Sequence, residues 1–217
     1  MSEFEALRER MIERYIVARG IDNAALIAAF RTIPREAFVS AGFETAAYAD
    51  APLPIGSGQT ISQPYIVALT IDSAEIGPDD KVLEIGAGSG YAAAIIGKVA
   101  REVIAIERHG ELARLASKRM AKLGYDNVRI IEGDGTGGLP EEAPFDAIVA
   151  AASGSHVPQV LLDQLKPGGR IVMPLGDPGA IQQLVKVTKR EEGALDRENL
   201  GAVRFVPLIG EHAFSEH

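Results

Sequence analysis

The sequence predicts an α/β fold with a doubly wound, mostly parallel β-sheet. Two features of the chain predict this fold. Short apolar segments with the length of strands alternate with helical segments between residues 81 and 173, and a glycine-rich turn follows the first of these strands. Strands that are apolar on both faces and are joined by helices are typical of a parallel sheet that is covered on both sides.

Five strands of this sheet can be located from their apolar runs. The run Val82–Ile85 comes first, and the glycine turn and a helix that ends near Val99 follow it. After Pro174 the alternation stops, because residues 181–188 and 202–208 both have the pattern of strands and no crossover helix fits between them. We therefore expect an antiparallel hairpin at the edge of the sheet. The other expected strands are 103–106, 128–131, 145–149 and 170–173, with helices at 110–123 and 158–165.

The first eighty residues have a helical pattern. Apolar residues recur at helical spacing from Phe4 onward, and Gly20 is expected to end this helix. Asp22 is expected to cap a second helix over 24–30, and a third helix over 64–73 follows a loop rich in glycine and proline. We expect one integrated domain in three segments. These are an N-terminal helical cap with an active-site loop at 1–78, a ligand-binding core at 79–176, and a C-terminal edge hairpin with a tail at 177–217.

The composition excludes several classes of protein and site. The net charge at pH 7 is −8, so we expect no nucleic-acid partner, which normally requires a basic surface. No apolar run approaches the roughly 20 residues that span a bilayer, and residues 1–14 lack the layout of a signal peptide. We therefore expect a cytoplasmic protein without a membrane partner. Without cysteine there is no disulfide, cysteine nucleophile or thiolate metal site.

The four histidines do not stand at metal-ligand spacing, so no metal is expected. His212 and His217 are expected to lie in a frayed tail. His156 follows the fourth strand of the core, where it either lines the site or is solvated.

The glycine-rich turn Gly86–Tyr91 reads G-A-G-S-G-Y and follows the first strand. A doubly wound sheet binds nucleotide-like ligands at this position. A dinucleotide-binding turn would have a third glycine where Tyr91 stands, whereas the spacing found here resembles the motif of class I methyltransferases that use S-adenosylmethionine. A purely structural tight turn is the alternative. The residues expected to contact the cofactor are Gly86, Gly88, Ser89 and Gly90.

Three acidic residues are candidates for the rest of the cofactor site. Glu107 ends the second strand, where a carboxylate accepts hydrogen bonds from both hydroxyls of a ribose, although an ordinary exposed strand end is the alternative. Asp134 follows the third strand and is expected to accept from the adenine amino group, with Gly135 allowing close approach; a structural Asp-Gly turn is the alternative. Glu84 lies inside the first strand and needs a partner, either the glycine turn or the sulfonium end of the cofactor.

The chain also excludes some methyl acceptors. Transfer to cytosine C5 needs a cysteine nucleophile, which is absent. Methylation of nucleobase amino groups commonly uses an Asn/Asp-Pro-Pro-aromatic motif after the fourth strand, where this chain has Ala150–Gly154. Nucleobases are therefore poor candidates for the acceptor.

Several blocks of the chain resemble the protein-L-isoaspartate O-methyltransferase family. The block Gln59–Tyr65, which reads Q-T-I-S-Q-P-Y, lies outside the generic methyltransferase core and is highly specific. The resemblance implies a Rossmann-like class I methyltransferase fold, and its blocks run in order over nearly the whole chain. The other blocks are 34–39, 53–56, 82–86, 133–135, 143–148 and 203–208.

The resemblance implies transfer of a methyl group from S-adenosylmethionine to the free α-carboxylate of an L-isoaspartyl residue. The products are S-adenosylhomocysteine and an ester that closes to a succinimide. The expected partners are damaged or unfolded proteins and peptides. We expect the enzyme to be a monomer. The acceptor needs no general base, because its reference pKa of about 3.3–3.9 leaves it ionised at neutral pH. Two alternatives remain: a methyltransferase for a small-molecule carboxylate or hydroxyl, and a non-enzymatic nucleotide sensor.

Ser62 matches the active-site serine of the family. Its hydroxyl would donate to the acceptor carboxylate or shape the loop over the cofactor, and a cap for the helix that begins at Pro64 is the alternative. The resemblance places Thr60 and Ile61 beside the cofactor, and we expect Asp50 to anchor the same loop.

The resemblance implies that the strand Val203–Leu208 binds the backbone of the substrate, and strand addition suits a peptide whose main chain carries an extra methylene. An ordinary edge strand is the alternative. Two departures from the family concern the acceptor region: Ala150 stands where threonine is frequent, and Ser153–His156 replaces a Pro-Glu loop. The residues expected to bind substrate are Val203, Phe205, Val206, Pro207 and Leu208.

Overall fold

Residues 2–215 are described by the structure, a computed structural model. A seven-stranded sheet forms its centre, in the order β5-β4-β3-β6-β7-β8-β9, and the first five strands in this order run parallel. The last two pairings are antiparallel. The predicted doubly wound fold with an antiparallel edge is thus confirmed. The strands of this sheet are β3 (Lys81–Ile85), β4 (Glu102–Glu107), β5 (Val128–Glu132), β6 (Phe145–Ala150), β7 (Leu165–Leu175), β8 (Gln182–Lys189) and β9 (Leu195–Val203).

Helices cover the sheet, and a short hairpin precedes it. This hairpin, β1 (Leu53–Gly56) with β2 (Gln59–Ile61), lies in the segment that we predicted to be a loop. The two strands are too short to show a period in the sequence, so only their pairing identifies them. The helices are α1 (Glu3–Met11), α2 (Ala24–Thr32), α3 (Pro64–Ser73), α4 (Tyr91–Ile96), α5 (Gly110–Lys122) and α6 (Gln159–Asp163).

The central strands bury both of their faces. Val82, Leu83, Val103 and Ile104 have no exposed surface, which explains why the strands appear as continuous apolar runs. Because these strands are parallel, their carboxyl ends meet at one edge of the sheet. The chain winds outward from β3 to β5 and then returns to β6 on the other side of β3, which opens a crevice at that edge.

The N-terminal helices end and begin largely where the sequence predicts. Gly20 ends the first helical segment in a left-handed conformation, with φ of 89°, after turns of π- and 3-10 helix. The predicted cap of α2 was wrong by one residue. Asn23, not Asp22, accepts a hydrogen bond from the amide of Leu26, because the amide oxygen of Asn23 stands three residues before that donor.

The last predicted strand was wrong in its bounds. We expected a strand over 202–208, whereas β9 ends at Val203 and residues 195–201 form most of it. Polar residues are tolerated there because this edge strand is exposed along almost its whole length. The apolar residues that follow leave the strand and cross the carboxyl edge of the sheet, where Pro207 bridges to Ser153.

The tail packs on the domain as far as it is described. The amide of His212 donates to Thr136 Oγ1 at 3.1 Å, and that of Glu211 donates to Asp134 Oδ2 at 2.9 Å. The expected fraying is therefore wrong for His212, and His217 lies outside the described residues. Among residues 2–215, no helix has the length and apolar character that crossing a membrane requires. The division into three segments stays a prediction.

Shortening a side chain of the central strand tests this packing. Ile148 of β6 is fully buried, so Ile148→Ala should lower the free energy of unfolding by about 2–5 kcal/mol. Leu195 of the edge strand is 45% exposed, so Leu195→Ala should change it by less than about 0.5 kcal/mol. Urea unfolding followed by circular dichroism measures both values. Equal losses in the two variants would contradict this arrangement.

Candidate functional site

A cavity of about 940 Å³ opens at the carboxyl edge of the parallel strands. This volume is suited to a nucleoside-sized ligand together with part of a second molecule. The cavity brings together the glycine turn, the end of β4, the loop before α3 and the segment after β9. The predicted site residues that line it are Thr60, Ser62, Gly86, Gly88, Glu107, Gly135, Val203, Phe205, Val206, Pro207 and Leu208.

Five predicted residues lie outside this lining. Ile61 and Ser89 are buried, and Gly90 begins α4 as its N-cap. Glu84 lines a neighbouring small cavity, and Asp134 is hydrogen-bonded to the backbone. Their contacts with a cofactor stay predictions.

The glycine turn lies against the ends of β3 and β4. Gly86, Gly88 and Gly90 have φ values of 86°, 54° and 85°, which side chains with a Cβ rarely adopt. The amides of Gly86 and Ala87 donate to the carbonyl of Ile106 at 2.8 and 3.1 Å. The backbone conformation at the wall of the cavity therefore requires glycine at these three positions.

Glu107 ties this turn to the end of β4. One carboxylate oxygen accepts from the amide of Gly88 at 2.7 Å and the other from the amide of His109 at 2.9 Å, and the residue is only 4% exposed. A carboxylate offers about four acceptor positions, so two remain for a ligand in the cavity. The alternative of an exposed strand end is wrong.

Glu84 is a buried carboxyl group with one oxygen that lacks a partner among the described residues. It is 2% exposed, and its Oε2 makes no hydrogen bond. Burial, followed by the nearby negative charge of Glu107, raises its pKa to about 8. Glu84 lines a side cavity of about 40 Å³ that shares Ser62, Ala151 and Phe205 with the large one.

The two predicted residues in the turn after β5, Asp134 and Gly135, have different environments. Gly135 lines the large cavity, where a Cβ would come within 2.8 Å of Ile85 Cγ2. The carboxylate oxygens of Asp134 accept from the amides of Thr136 at 2.8 Å and Glu211 at 2.9 Å. Burial opposes ionisation, but these backbone hydrogen bonds lower the pKa of Asp134 below its usual value. They support the structural alternative for Asp134, and a contact with adenine stays a prediction.

Ser62 lies where the two cavities meet. It does not cap α3, because Gln63 is the N-cap and makes no capping hydrogen bond through its side chain. The amide of Tyr65 instead donates to Asp50 Oδ1 at 3.0 Å, and Arg19 pairs with the other oxygen of Asp50 at 3.1 Å. Asp50 thus anchors this loop, as the sequence predicts.

The segment after β9 forms the opposite wall. The amide of Phe205 donates to Gln182 Oε1 at 2.7 Å, and Gln182 Nε2 donates to the carbonyl of Phe205 at 3.3 Å. Ser153 pairs with this segment through both of its backbone groups, at 2.8 Å each with the carbonyl of Val206 and the amide of Leu208. The exposed side chain of His156 bonds to Ser155 and does not line the cavity.

Sequence reasoning missed several residues that shape the site. Gln182 and Arg35 are almost fully buried. Arg35 stands in block 34–39, which resembles the family, whereas the segment of Gln182 has only the pattern of a strand. Their hydrogen bonds to Ala47 and Phe205 join residues more than ten positions apart, so local sequence could not show these contacts. Within the described part of the chain, no group of acidic or histidine side chains could hold a metal ion. Other lining residues that we did not predict are Arg19, Gln63, Tyr65, Arg108, His109, Ile181 and Ile209.

Comparison with known proteins places the chain in a family. The model of the protein-L-isoaspartate(D-aspartate) O-methyltransferase family matches residues 6–213. A protein-L-isoaspartate O-methyltransferase of Brucella anthropi is 47% identical and covers 100% of this chain and 99% of its own length. Its counterpart from Methylorubrum populi is 52% identical over 94% of this chain and 96% of its own length.

Two solved structures extend the similarity to the fold. One, a protein-L-isoaspartate O-methyltransferase, has a TM-score of 0.85 at 28% identity and covers 95% of this chain and 67% of its own. The other, from Plasmodium falciparum and in complex with S-adenosyl-L-homocysteine, has a TM-score of 0.80 at 26% identity and covers 96% and 99%. With matches that run over nearly its whole length, the chain belongs to the protein-L-isoaspartate(D-aspartate) O-methyltransferase family.

Proposed function

We propose that this protein transfers a methyl group from S-adenosylmethionine to the free α-carboxylate of L-isoaspartyl residues in damaged proteins. The bond between the methyl carbon and sulfur breaks, a bond to a carboxylate oxygen forms, and S-adenosylhomocysteine leaves. The backbone nitrogen of the next residue then attacks the ester carbonyl, so that a succinimide forms and methanol leaves. Water opens the succinimide again, in part to normal aspartate. One observation carries this proposal: the glycine turn and Glu107 line the same cavity as Ser62 and the segment after β9.

The residues at one end of the cavity fit S-adenosylmethionine. The unpartnered oxygen of Glu84 is suited to its ammonium group, and the two free acceptor positions of Glu107 are suited to its ribose hydroxyls. The part of the cavity that Gly135 lines would take the adenine. When bound, this cofactor supplies a methyl group activated by a positively charged sulfur. The relative from Plasmodium falciparum, whose structure contains S-adenosyl-L-homocysteine, supports this assignment.

The residues at the other end are suited to a peptide carboxylate. The acceptor is ionised at neutral pH, so the chain has to hold one oxygen in line with the methyl group and exclude water. Positioning of this kind can account for roughly 7–11 kcal/mol of the barrier. We assign the hydroxyl of Ser62 to the acceptor carboxylate, with Thr60 beside the cofactor. We assign residues 203–208 to the substrate backbone.

We further propose that the protein acts as a cytoplasmic monomer on proteins and peptides, without nucleic-acid or membrane partners. The net charge of −8 disfavours polyanionic partners.

Paired peptides test the acceptor. A peptide that contains L-isoaspartate should be methylated, whereas the same peptide with normal aspartate should not, because only the former places a free α-carboxylate on a lengthened main chain. Transfer of radioactive methyl groups from S-adenosylmethionine measures both. Equal labelling of the two peptides, or labelling of small carboxylic acids alone, would contradict the repair function and indicate a methyltransferase of other specificity. Binding of the cofactor without any turnover would indicate a sensor.

Two substitutions should separate the two ends of the cavity. Ser62→Ala should lower kcat with little change in cofactor affinity, because the hydroxyl is assigned to the acceptor. Glu107→Ala should weaken S-adenosylhomocysteine binding by about 10-fold or more, because a hydrogen bond to a charged group contributes about 1.5–3 kcal/mol. Calorimetry and steady-state kinetics measure the two effects. If each substitution changed both quantities equally, the two assignments would be wrong.

The charge of Glu84 should link cofactor binding to pH. Its carboxyl is largely protonated below its folded pKa of about 8, so binding of an ammonium group should release a proton, and affinity should rise as pH increases toward 8. The unfolded state ionises from about pH 4.5, so Glu84 destabilises the free protein increasingly between 4.5 and 8.

Glu84→Gln tests both consequences. The melting temperature of the free variant should exceed that of the original protein at pH 8, and the two should converge below pH 4.5. The variant should also bind S-adenosylhomocysteine more weakly, with less dependence on pH. Unchanged affinity would show that the ammonium group binds elsewhere.

A further inference from the structure

Arg35 is a cation without exposed surface at the back of the loop that carries Ser62. It stands in a 3-10 turn, Arg35–Phe38, and does not line the cavity. Its Nε donates to the carbonyl of Ala47 at 2.7 Å, and its Nη2 donates to the carbonyl of Ser62 at 2.8 Å. The guanidinium group therefore holds the backbone of Ser62 in place from outside the lining of the cavity.

This cation has no carboxylate as a hydrogen-bond partner among the described residues. Its acceptors are the two carbonyls, and its Nη1 has no partner there. Burial lowers the pKa of Arg35, with smaller opposing effects from Tyr91, Tyr48 and Asp50. A buried ion of this kind stabilises a fold less than a well-packed apolar side chain would. Its place here is better explained by the directed hydrogen bonds that a planar guanidinium makes.

The same guanidinium also touches the cofactor side of the site. Its central carbon lies 4.7 Å from the ring centroid of Tyr91, which is the last residue of the glycine turn and the first residue of α4. The ring of Tyr91 is itself held edge-on by Phe38, with centroids 5.4 Å apart. One side chain therefore contacts both the backbone of Ser62 and the residue that ends the glycine turn.

We propose that Arg35 is a positioning residue that sets the separation between Ser62 and the glycine turn, and thereby between the methyl acceptor and the methyl donor. This proposal rests on the proposed function for its catalytic consequence. Arg35 acts through the carbonyl of Ser62 and the ring of Tyr91, and it does not itself line the cavity. A lysine at this position has one nitrogen and no planar fork, so it cannot reproduce both hydrogen bonds and the stacking together.

Substitutions at Arg35 test the catalytic part. Arg35→Met should lower kcat by about 100-fold, because a misplacement of about 1 Å can have an effect of that size. Arg35→Lys should fall between this variant and the original protein, and the affinity for S-adenosylhomocysteine should change little in either. Ile16→Ala is the control, since Ile16 is fully buried in the N-terminal helical segment and its side chain makes no hydrogen bond. An unchanged kcat in Arg35→Met, or an equal loss in the control at a temperature where all variants are folded, would overturn the proposal.

Hydrogen exchange provides a readout that does not depend on turnover. Amides of residues 59–67 should exchange faster in Arg35→Met and Arg35→Lys than in Ile16→Ala, while those of β3 and β6 keep their protection. If Arg35→Met fails to fold, Arg35→Lys carries the same comparison. A protein that methylates no isoaspartyl peptide would contradict the proposed function, and faster exchange would still support the positioning role. Unchanged exchange at residues 59–67 would contradict that role.

Discussion

The two backbone hydrogen bonds accepted by the carboxylate of Glu107 are the interaction on which the candidate site depends. They join the glycine turn after β3 to the start of the turn after β4, at the carboxyl ends of two adjacent parallel strands. A carboxylate that is 4% exposed would be unfavourable without such donors, so the sheet supplies them where the strand ends. Glu107 also lines the cavity, so the group that organises the turn is itself part of the cavity wall.

Glu84 and Glu107 stand on adjacent strands, and two buried carboxyl groups so close together favour the binding of a positively charged group. Burial and the charge of Glu107 together keep Glu84 largely neutral in the free protein at pH 7. A cationic ligand reverses this balance, because its charge favours the ionised carboxyl. An arrangement that is unfavourable without ligand and favourable with it is common at functional sites, and S-adenosylmethionine with its ammonium and sulfonium groups matches it.

The acceptor side is held by side chains that reach across the fold to the backbone of irregular segments. Asp50 accepts a hydrogen bond from the amide of Tyr65, and Arg35 donates one to the carbonyl of Ser62. Gln182 forms hydrogen bonds with both backbone groups of Phe205. These segments have few backbone partners of their own, so long-range hydrogen bonds replace the ladder of a sheet. This explains why an irregular wall of the cavity can still have a defined shape.

The sequence by itself determined the order of the strands and helices in the core, its parallel sheet and the position of the glycine turn and Glu107. These features depend on local periodicity and on the rule that parallel strands end at one edge. It also determined the family through the block Gln59–Tyr65. Only the tertiary structure decided that β9 ends at Val203, because an exposed edge strand accepts polar residues and leaves no apolar pattern. Only the tertiary structure turned Asp134 toward the backbone of Glu211 and placed Arg35 behind Ser62, because both contacts join residues that are far apart along the chain.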